Sequence, residues 1–273
     1  PEPIPVYAEM GSINPLFILP GAIAERQAAL VEGLYASSMV GVGQFCTNPG
    51  VIVLQKSPAA RQFVKDLAAR LAATREGVML TPGIRKNFVT NTTARTHQPG
   101  VKVLAQGNAV SMCSAAPVWF ETDALDFQSN HALAEEIFGP SSLVVWCTDR
   151  AEMLAVAQDL EGNLTATLHA GAAEAKEQGE LVAILAAKAG RVILNGYPTG
   201  LEVSPAIVHG GPYPATSDGG RSTSVGTRAL NRWARLVCYQ GFSDDLLPPE
   251  LQNANPLGLL RLVNGQWTRE SIR

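Results

Sequence analysis

From Val51 to Leu194, short apolar runs and amphipathic helical stretches take turns, and no other feature of the sequence narrows the possible folds as much. Val51-Ile52-Val53-Leu54, Val101-Lys102-Val103-Leu104, Ser142-Leu143-Val144-Val145-Trp146, Leu164-Thr165-Ala166-Thr167-Leu168 and Val192-Ile193-Leu194 have the length and β-branched content of strands. Between them, Phe63, Val64, Leu67, Ala68 and Leu71 make one helical stripe, Met153, Leu154, Ala157 and Leu160 a second, and Leu181, Val182, Leu185 and Ala186 a third. A strand that is apolar on both sides must be covered on both faces. The alternation therefore predicts an α/β fold with a mainly parallel sheet covered by helices on both faces.

Local signals set the punctuation. Ser57-Pro58 places proline at a first helical position, and Asp149 with Glu152 three residues on is a capping box. Residues 83–95 read as a helix with a polar face, and Val118-Trp119-Phe120-Glu121-Thr122 as a strand. The rest of 111–130 shows no period and is left unassigned. Val6-Tyr7-Ala8 reads as a strand end running into Glu9. Beyond Asn195-Gly196, a stretch rich in glycine, proline and serine runs through Arg221, and loops of that length are functional or docked on a partner. A short helix is expected over 230–233. Leu236-Val237-Cys238-Tyr239-Gln240 then reads as a strand with no neighbour in sequence, the kind that completes another subunit's sheet and makes a homo-oligomer. Residues 248–273 read as a surface tail.

Composition excludes several classes. The 273 residues are 46% hydrophobic with a formal net charge of −3, as expected of a soluble globular chain. No apolar run reaches the ~18 residues of a membrane span, and no cluster of lysine and arginine offers a nucleic-acid face. Pro1-Glu2-Pro3-Ile4-Pro5 lacks the features of a signal peptide and there is no initiator Met, so a cytoplasmic chain, a processed or truncated piece of something longer, is expected. Cys46, Cys113, Cys147 and Cys238 lie far apart with no C-x-x-C, which argues against a metal site and against a disulfide framework.

One of these cysteines occupies a special position. A helix over 24–39, with Leu30, Val31, Leu34, Tyr35 and Ser38 on one face, is ended by Gly41 and Gly43; Gly43-Gln44-Phe45-Cys46-Thr47-Asn48-Pro49-Gly50 follows, and the first strand starts at Val51. Cys46 thus sits in a constrained connection, where a thiol either fills the turn or serves as a nucleophile once something takes its proton. Glu9 lies at an edge between strand and loop, where a carboxylate is either solvated or a general base.

Three motifs, E-M-G-S-x-N-P at Glu9, G-Q-F-C-T-N-P-G at Cys46 and E-E-I-F-G-P at Glu135, resemble in order and spacing the C-terminal half of the aldehyde dehydrogenase superfamily. E-M-G-S departs from the more usual E-L-G-G. The stretches from Asn195-Gly196-Tyr197-Pro198-Thr199-Gly200 through His209-Gly210-Gly211-Pro212-Tyr213-Pro214 to Trp233 look like the branch that oxidises 2,5-dioxovalerate, or α-ketoglutaric semialdehyde. The resemblance implies that Cys46 is the nucleophile, Glu9 the base that activates water, and Glu136 and Phe138 the residues that hold the nicotinamide ribose and flank its ring. It implies NADP or NAD as cofactor and a small aldehyde as substrate, with a thiohemiacetal and then a thioester on the cysteine. It also implies that residues 1–10 end a dinucleotide-binding domain, 11–228 form the catalytic domain, and 229–273 carry the oligomerisation strand and tail. The glycine motif of the cofactor half would lie before Pro1, so the isolated chain is expected to be inactive as a dehydrogenase. Arg221 is the one cation of the 197–221 loop that could meet an acidic substrate.

Two other readings stay open at this stage. A cysteine-dependent esterase would need a histidine partner, and His97, His131, His169 and His209 sit in no hydrolase motif. A catalytically silent fragment or assembly module would fit the missing dinucleotide half.

Overall fold

The computed structural model describes residues 3–109 and 111–272. Residues 1 and 2, at the head of the expected dinucleotide-domain remnant, and residue 273, at the end of the expected tail, lie outside them. By internal contacts the chain divides into one unit through Ala229 and a second from Leu230.

The first unit is built on seven strands. In chain order come β1 (Leu16–Ile18), α1 (Pro20–Met39), β2 (Val51–Gln55), α2 (Pro58–Ala72), the two-residue β3 (Gly77–Val78), α3 (Pro82–Thr96) and β4 (Lys102–Gln106). They are followed by β5 (Ser114–Ala115), β6 (Val118–Asp123), α4 (Ala124–Ser129), β7 (Ser141–Cys147), α5 (Arg150–Asp159), β8 (Asn163–His169), α6 (Gly179–Lys188) and β9 (Ala189–Leu194). The sheet order is β4-β6-β7-β2-β1-β8-β9, with β3 and β5 forming a separate short antiparallel pair. Every neighbouring pair in the large sheet is parallel except β4 with β6. The mainly parallel sheet expected from the alternation is thus present, with one antiparallel edge strand.

Side-chain alternation divides the core. Leu16, Ile18, Ile52, Leu54, Val144 and Trp146 face α1 and α2 through Leu30, Leu34, Phe63 and Leu67. The intervening Phe17, Val51, Val53, Leu143, Val145 and Leu168 face α4, α5 and α6 through Phe127, Met153, Val156, Leu181 and Leu185. Successive strand residues point to opposite faces, so each central strand feeds both cores. Burying such a side chain contributes about 1.5–3 kcal/mol.

Caps bear out the local reading. The Ser57 hydroxyl accepts the Ala60 N–H at 3.0 Å, a contact worth about 1 kcal/mol, and Asp149 accepts the Glu152 N–H at 2.9 Å. The Glu152 carboxylate reaches back one residue beyond the cap, to the Thr148 N–H and hydroxyl, so the box is wider than the simple reciprocal form. Residues 124–129, left unassigned from sequence, form the short helix α4; its six residues are too few for a period to register.

Two expectations need correction. Val6-Tyr7-Ala8 forms no strand; only Glu9 makes a single antiparallel bridge, to Thr216. Residues 236–240 carry no strand either, and Leu236 is 100% exposed. A strand is defined by its ladder partner, and β-prone side chains alone do not make one. The short helix expected over 230–233 is present as a 3-10 helix spanning Thr227–Trp233, and in the second unit a small hairpin pairs β10 (Arg261–Val263) with β11 (Gln266–Thr268) inside the expected tail. Among the described residues no helix is long and apolar enough to cross a membrane.

Candidate active site

The residues singled out at Glu9, Cys46 and Glu136 all precede a strand: β1, β2 and β7 respectively. They gather at the amino ends of the parallel strands, the edge opposite to the one where open α/β sheets commonly hold ligands. The connections that enter the strands carry the candidate site here.

Cys46 is placed by an unusual backbone. Gly41, Val42 and Gly43 are all left-handed, with φ of 56, 59 and 66°. Two glycines supply that conformation at little cost, while a β-branched valine there is strained. A Cβ on Gly43 would stand 2.4 Å from the carbonyl carbon of Gly139, so only glycine lets the Cys46 connection lie against the loop that bears Glu136. Asn48 ties the same two segments, donating to the Gly139 carbonyl at 3.3 Å.

Asn14 fixes the turn from the other side. At φ 43° it occupies the left-handed region that asparagine tolerates, and its amide donates to the Cys46 carbonyl at 2.8 Å and the Asn48 carbonyl at 2.9 Å. Its Oδ1 accepts the hydroxyls of Ser12 at 2.9 Å and Thr165 at 3.0 Å. The asparagine of E-M-G-S-x-N-P thus joins the Glu9 and Cys46 motifs and β8 in one buried network.

Glu9 arrives from a different direction. Met10 donates to the Ala215 carbonyl at 3.0 Å, Ser217 to the Ala8 carbonyl at 2.9 Å, and Ala8 to the Ser217 hydroxyl at 2.9 Å. The N-terminal segment is therefore held by the glycine- and proline-rich loop. That loop is itself pressed onto the sheet's edge: a Cβ on Gly190 would meet the Gly210 carbonyl oxygen at 2.0 Å. His209 lies in it, its N–H donating to the Thr223 hydroxyl at 2.8 Å.

The result is a contact that the sequence reading did not anticipate. His209 Nε2 stands 3.4 Å from Cys46 Sγ and 3.0 Å from a Glu9 carboxylate oxygen. The hydrogen bonds to Cys46 and then Glu9 raise the His209 pKa to about 9, outweighing its partial burial. A ring nitrogen within reach of the sulfur is the arrangement by which a cysteine nucleophile is paired with a histidine. The lack of a hydrolase motif around His209 does not bear on this contact, since 163 residues separate it from Cys46 and no local motif can report such a neighbour. The signal that could have found it is the H-G-G-P stretch, whose glycines allow close backbone approach.

Glu136 completes the line. Its carboxylate accepts the Ser12 N–H at 3.3 Å, and its pKa is pushed up to about 7, chiefly by burial, with the nearby Glu9 charge adding and the Ser12 contact opposing. Phe138, 39% exposed, lines the same small cleft together with Gly43, Asn48 and Glu136. Arg95 carries the loop before them: it is buried, donates to the Glu135 carbonyl at 2.8 Å and the Ala132 carbonyl at 3.2 Å, and has its pKa lowered to about 10 by burial. A larger cleft of about 620 Å³ opens on the other side of Glu136, toward Met10, Asn163 and Pro214. Arg221 is exposed on its loop. The guanidinium whose charge meets that of Cys46 is Arg191, half-buried on β9 and donating to the Gly200 and Pro198 carbonyls.

Comparison with known proteins gives this geometry its context. The chain is 46% identical over 267 residues to alpha-ketoglutaric semialdehyde dehydrogenase 2 of Azospirillum brasilense, covering 97% of this chain and 51% of that protein. It is 44% identical over 271 residues to alpha-ketoglutaric semialdehyde dehydrogenase of Acinetobacter baylyi, covering 98% and 51%. The NAD+ complex of an aldehyde dehydrogenase from Bacillus cereus shares the fold, with a TM-score of 0.67 at 21% identity over 83% of this chain and 45% of that one. This chain thus spans about half the length of the curated relatives it matches. With residues 2–231 matching the family as a whole, the chain belongs to the aldehyde dehydrogenase family.

Proposed function

We propose that this chain supplies the thiol-bearing half of a cytoplasmic, NAD(P)-dependent aldehyde dehydrogenase acting on a small semialdehyde that carries an acid group, 2,5-dioxovalerate being the compound the two relatives' names point to. Residues 11–228 are its catalytic domain, 1–10 the end of a dinucleotide-binding domain, and 229–273 an oligomerisation segment whose 236–240 stretch becomes a strand on a partner's sheet. The observation that carries the reading is the set of contacts joining Cys46, His209 and Glu9.

Cys46 attacks the aldehyde carbon with His209 beside its sulfur, and a thiohemiacetal forms on sulfur. NAD or NADP, when bound, accepts a hydride. Glu136 offers a carboxylate acceptor to ribose hydroxyls and Phe138 an exposed ring, and both line one cleft, which fits the nicotinamide end of such a cofactor. The chain has no G-x-G-x-x-G for the pyrophosphate, so the isolated chain does not oxidise aldehydes. Glu9 then takes a proton from the water that hydrolyses the thioester. Arg191, in place of Arg221, supplies the positive potential that draws an acidic substrate toward Cys46.

The nearby histidine gives the esterase reading a specific observation in its favour. The ring nitrogen decides against it. In a nucleophile–base–orienter triad the two ring nitrogens divide the work, whereas here Nε2 alone faces both Cys46 and Glu9.

Cys46→Ala in the full-length enzyme is expected to abolish oxidation with the fold retained, and alkylation of the present chain should mark Cys46 ahead of Cys113, Cys147 and Cys238. Preferential labelling of another cysteine would sink the assignment. Glu9→Gln should leave a first burst of about one reduced cofactor per site and then stall as an acyl group on Cys46, since a base for deacylation serves only after hydride has left. Steady turnover at the native rate would give the water to another group. Tight dinucleotide binding by the isolated chain would contradict the division into halves.

A further inference from the structure

The spacing of the cysteines gave no reason to expect a metal, yet the fold brings three donor atoms together: Cys46 Sγ, His209 Nε2 and a Glu9 carboxylate oxygen all lie within 4.8 Å of one another. Around a tetrahedral zinc ion, with bonds of about 2.0–2.3 Å, neighbouring ligand atoms stand about 3.4–3.6 Å apart. The Sγ to Nε2 separation of 3.4 Å already fits that edge, and the Nε2 to Oε2 separation of 3.0 Å needs only a slight opening. One thiolate, one imidazole and one carboxylate form a donor set that zinc and cadmium accept, and the sulfur disfavours magnesium and calcium.

The three side chains also come from braced backbone. Asn14 holds the Cys46 carbonyl, Thr223 holds the His209 N–H, and Glu9 is bridged to Thr216. Ligands placed in advance lose little freedom when an ion binds. Three protein ligands leave a fourth tetrahedral position open.

We propose that Glu9, Cys46 and His209 form a reversible zinc site that silences the thiol, so that zinc and aldehyde exclude one another. The ion takes the place of the thiol proton and of any proton on Nε2; both go to solvent, and nothing is oxidised or reduced. The silencing rests on the nucleophilic role given to Cys46 above, whereas ion binding does not.

Cadmium is the probe, because thiolate-to-cadmium charge transfer in the ultraviolet reports sulfur ligation without turnover. Titrating Cd²⁺ into the present chain should give the band at about one ion per chain, protect Cys46 from iodoacetamide, and be reversed by a chelator. His209→Ala and Glu9→Gln should each weaken Cd²⁺ by more than about tenfold while the circular dichroism is unchanged, and His209→Cys should restore it. In the full-length enzyme, Zn²⁺ should inhibit in competition with aldehyde. A band that survives Cys46→Ser, or an affinity indifferent to both His209→Ala and His209→Cys, overturns the site. An active enzyme indifferent to Zn²⁺ overturns the silencing. A full-length protein that binds Cd²⁺ through His209 yet oxidises no aldehyde would instead overturn the proposed function and leave the metal site standing.

Discussion

The connection that bears Cys46 and the loop that bears His209 meet at one point but are built differently. The first is short, spans residues 40–50 between α1 and β2, and is set by left-handed glycines and by Asn14. The second runs for more than 30 residues past β9 with almost no regular structure, and its shape comes from hydroxyls and distant backbone: Thr216 with Asp218, Thr223 with His209, and Ala215 and Ser217 with the N-terminal segment. A site assembled from both has one rigid partner and one that depends on contacts about 200 residues apart in sequence. Local constraint makes the thiol's position robust, and remote constraint makes its environment adjustable.

Breaking the first region should cost most. Gly43→Val adds a side chain at φ 66° against the Gly139 backbone, and the strain and overlap together should destabilise by about 3 kcal/mol or more and displace the Glu136 loop. Urea unfolding checks it, and a loss below about 1 kcal/mol would mean that the two loops part easily.

The second region has a pH-sensitive anchor. His169, 1% exposed at the end of β8, packs against the Tyr197 ring in a tilted arrangement with centroids 5.0 Å apart, where the long loop begins, and the Tyr197 hydroxyl donates to the Leu30 carbonyl at 3.3 Å. Among the described residues neither His169 ring nitrogen makes a well-formed hydrogen bond, and the nearby Gly196 backbone offsets a little of the shift. Burial, followed by the Arg26 charge, lowers its pKa to about 4. Above pH ~6.5 the ring is neutral in both folded and unfolded chains and its contribution is fully present. As pH falls from there toward 4, the unfolded chain takes the proton first and stability declines, by up to about 3 kcal/mol. A urea midpoint with the same pH slope in His169→Gln as in the native chain would remove His169 from this role.

The smallest effect is expected from Thr223→Val, which removes the hydroxyl that accepts the His209 N–H. Stability should fall by about 1 kcal/mol, the usual cost of one lost hydrogen bond, while the alkylation rate of Cys46 drops as His209 drifts from the thiol. Unchanged alkylation would show that the long loop holds His209 without Thr223.

How much was legible in the sequence follows the same division. Central strands such as 141–147 and 163–169 are buried on both faces, so their apolar runs announce them, and the Ser57 and Asp149 caps act within three residues. The Cys46 turn was readable because its glycines and its flanking helix and strand are adjacent in the chain. Residues 195–229 carry no apolar period, since their order comes from side-chain hydroxyls and backbone approach. The lone 236–240 segment could not become a strand on its own, because a ladder needs a second backbone.

By itself, then, the sequence determined the layered α/β architecture, the helix ends and the position of a thiol in a tight connection, because burial periodicity, capping and glycine conformations act over a few residues. Only the tertiary structure decided that His209 stands between Cys46 and Glu9, that the N-terminal segment is bridged to Thr216, and that Arg191 is an arginine whose charge reaches Cys46. Those contacts join residues far apart in the chain. Each depends on the whole sheet being in register before the loops can meet at its edge, and no local pattern carries that information.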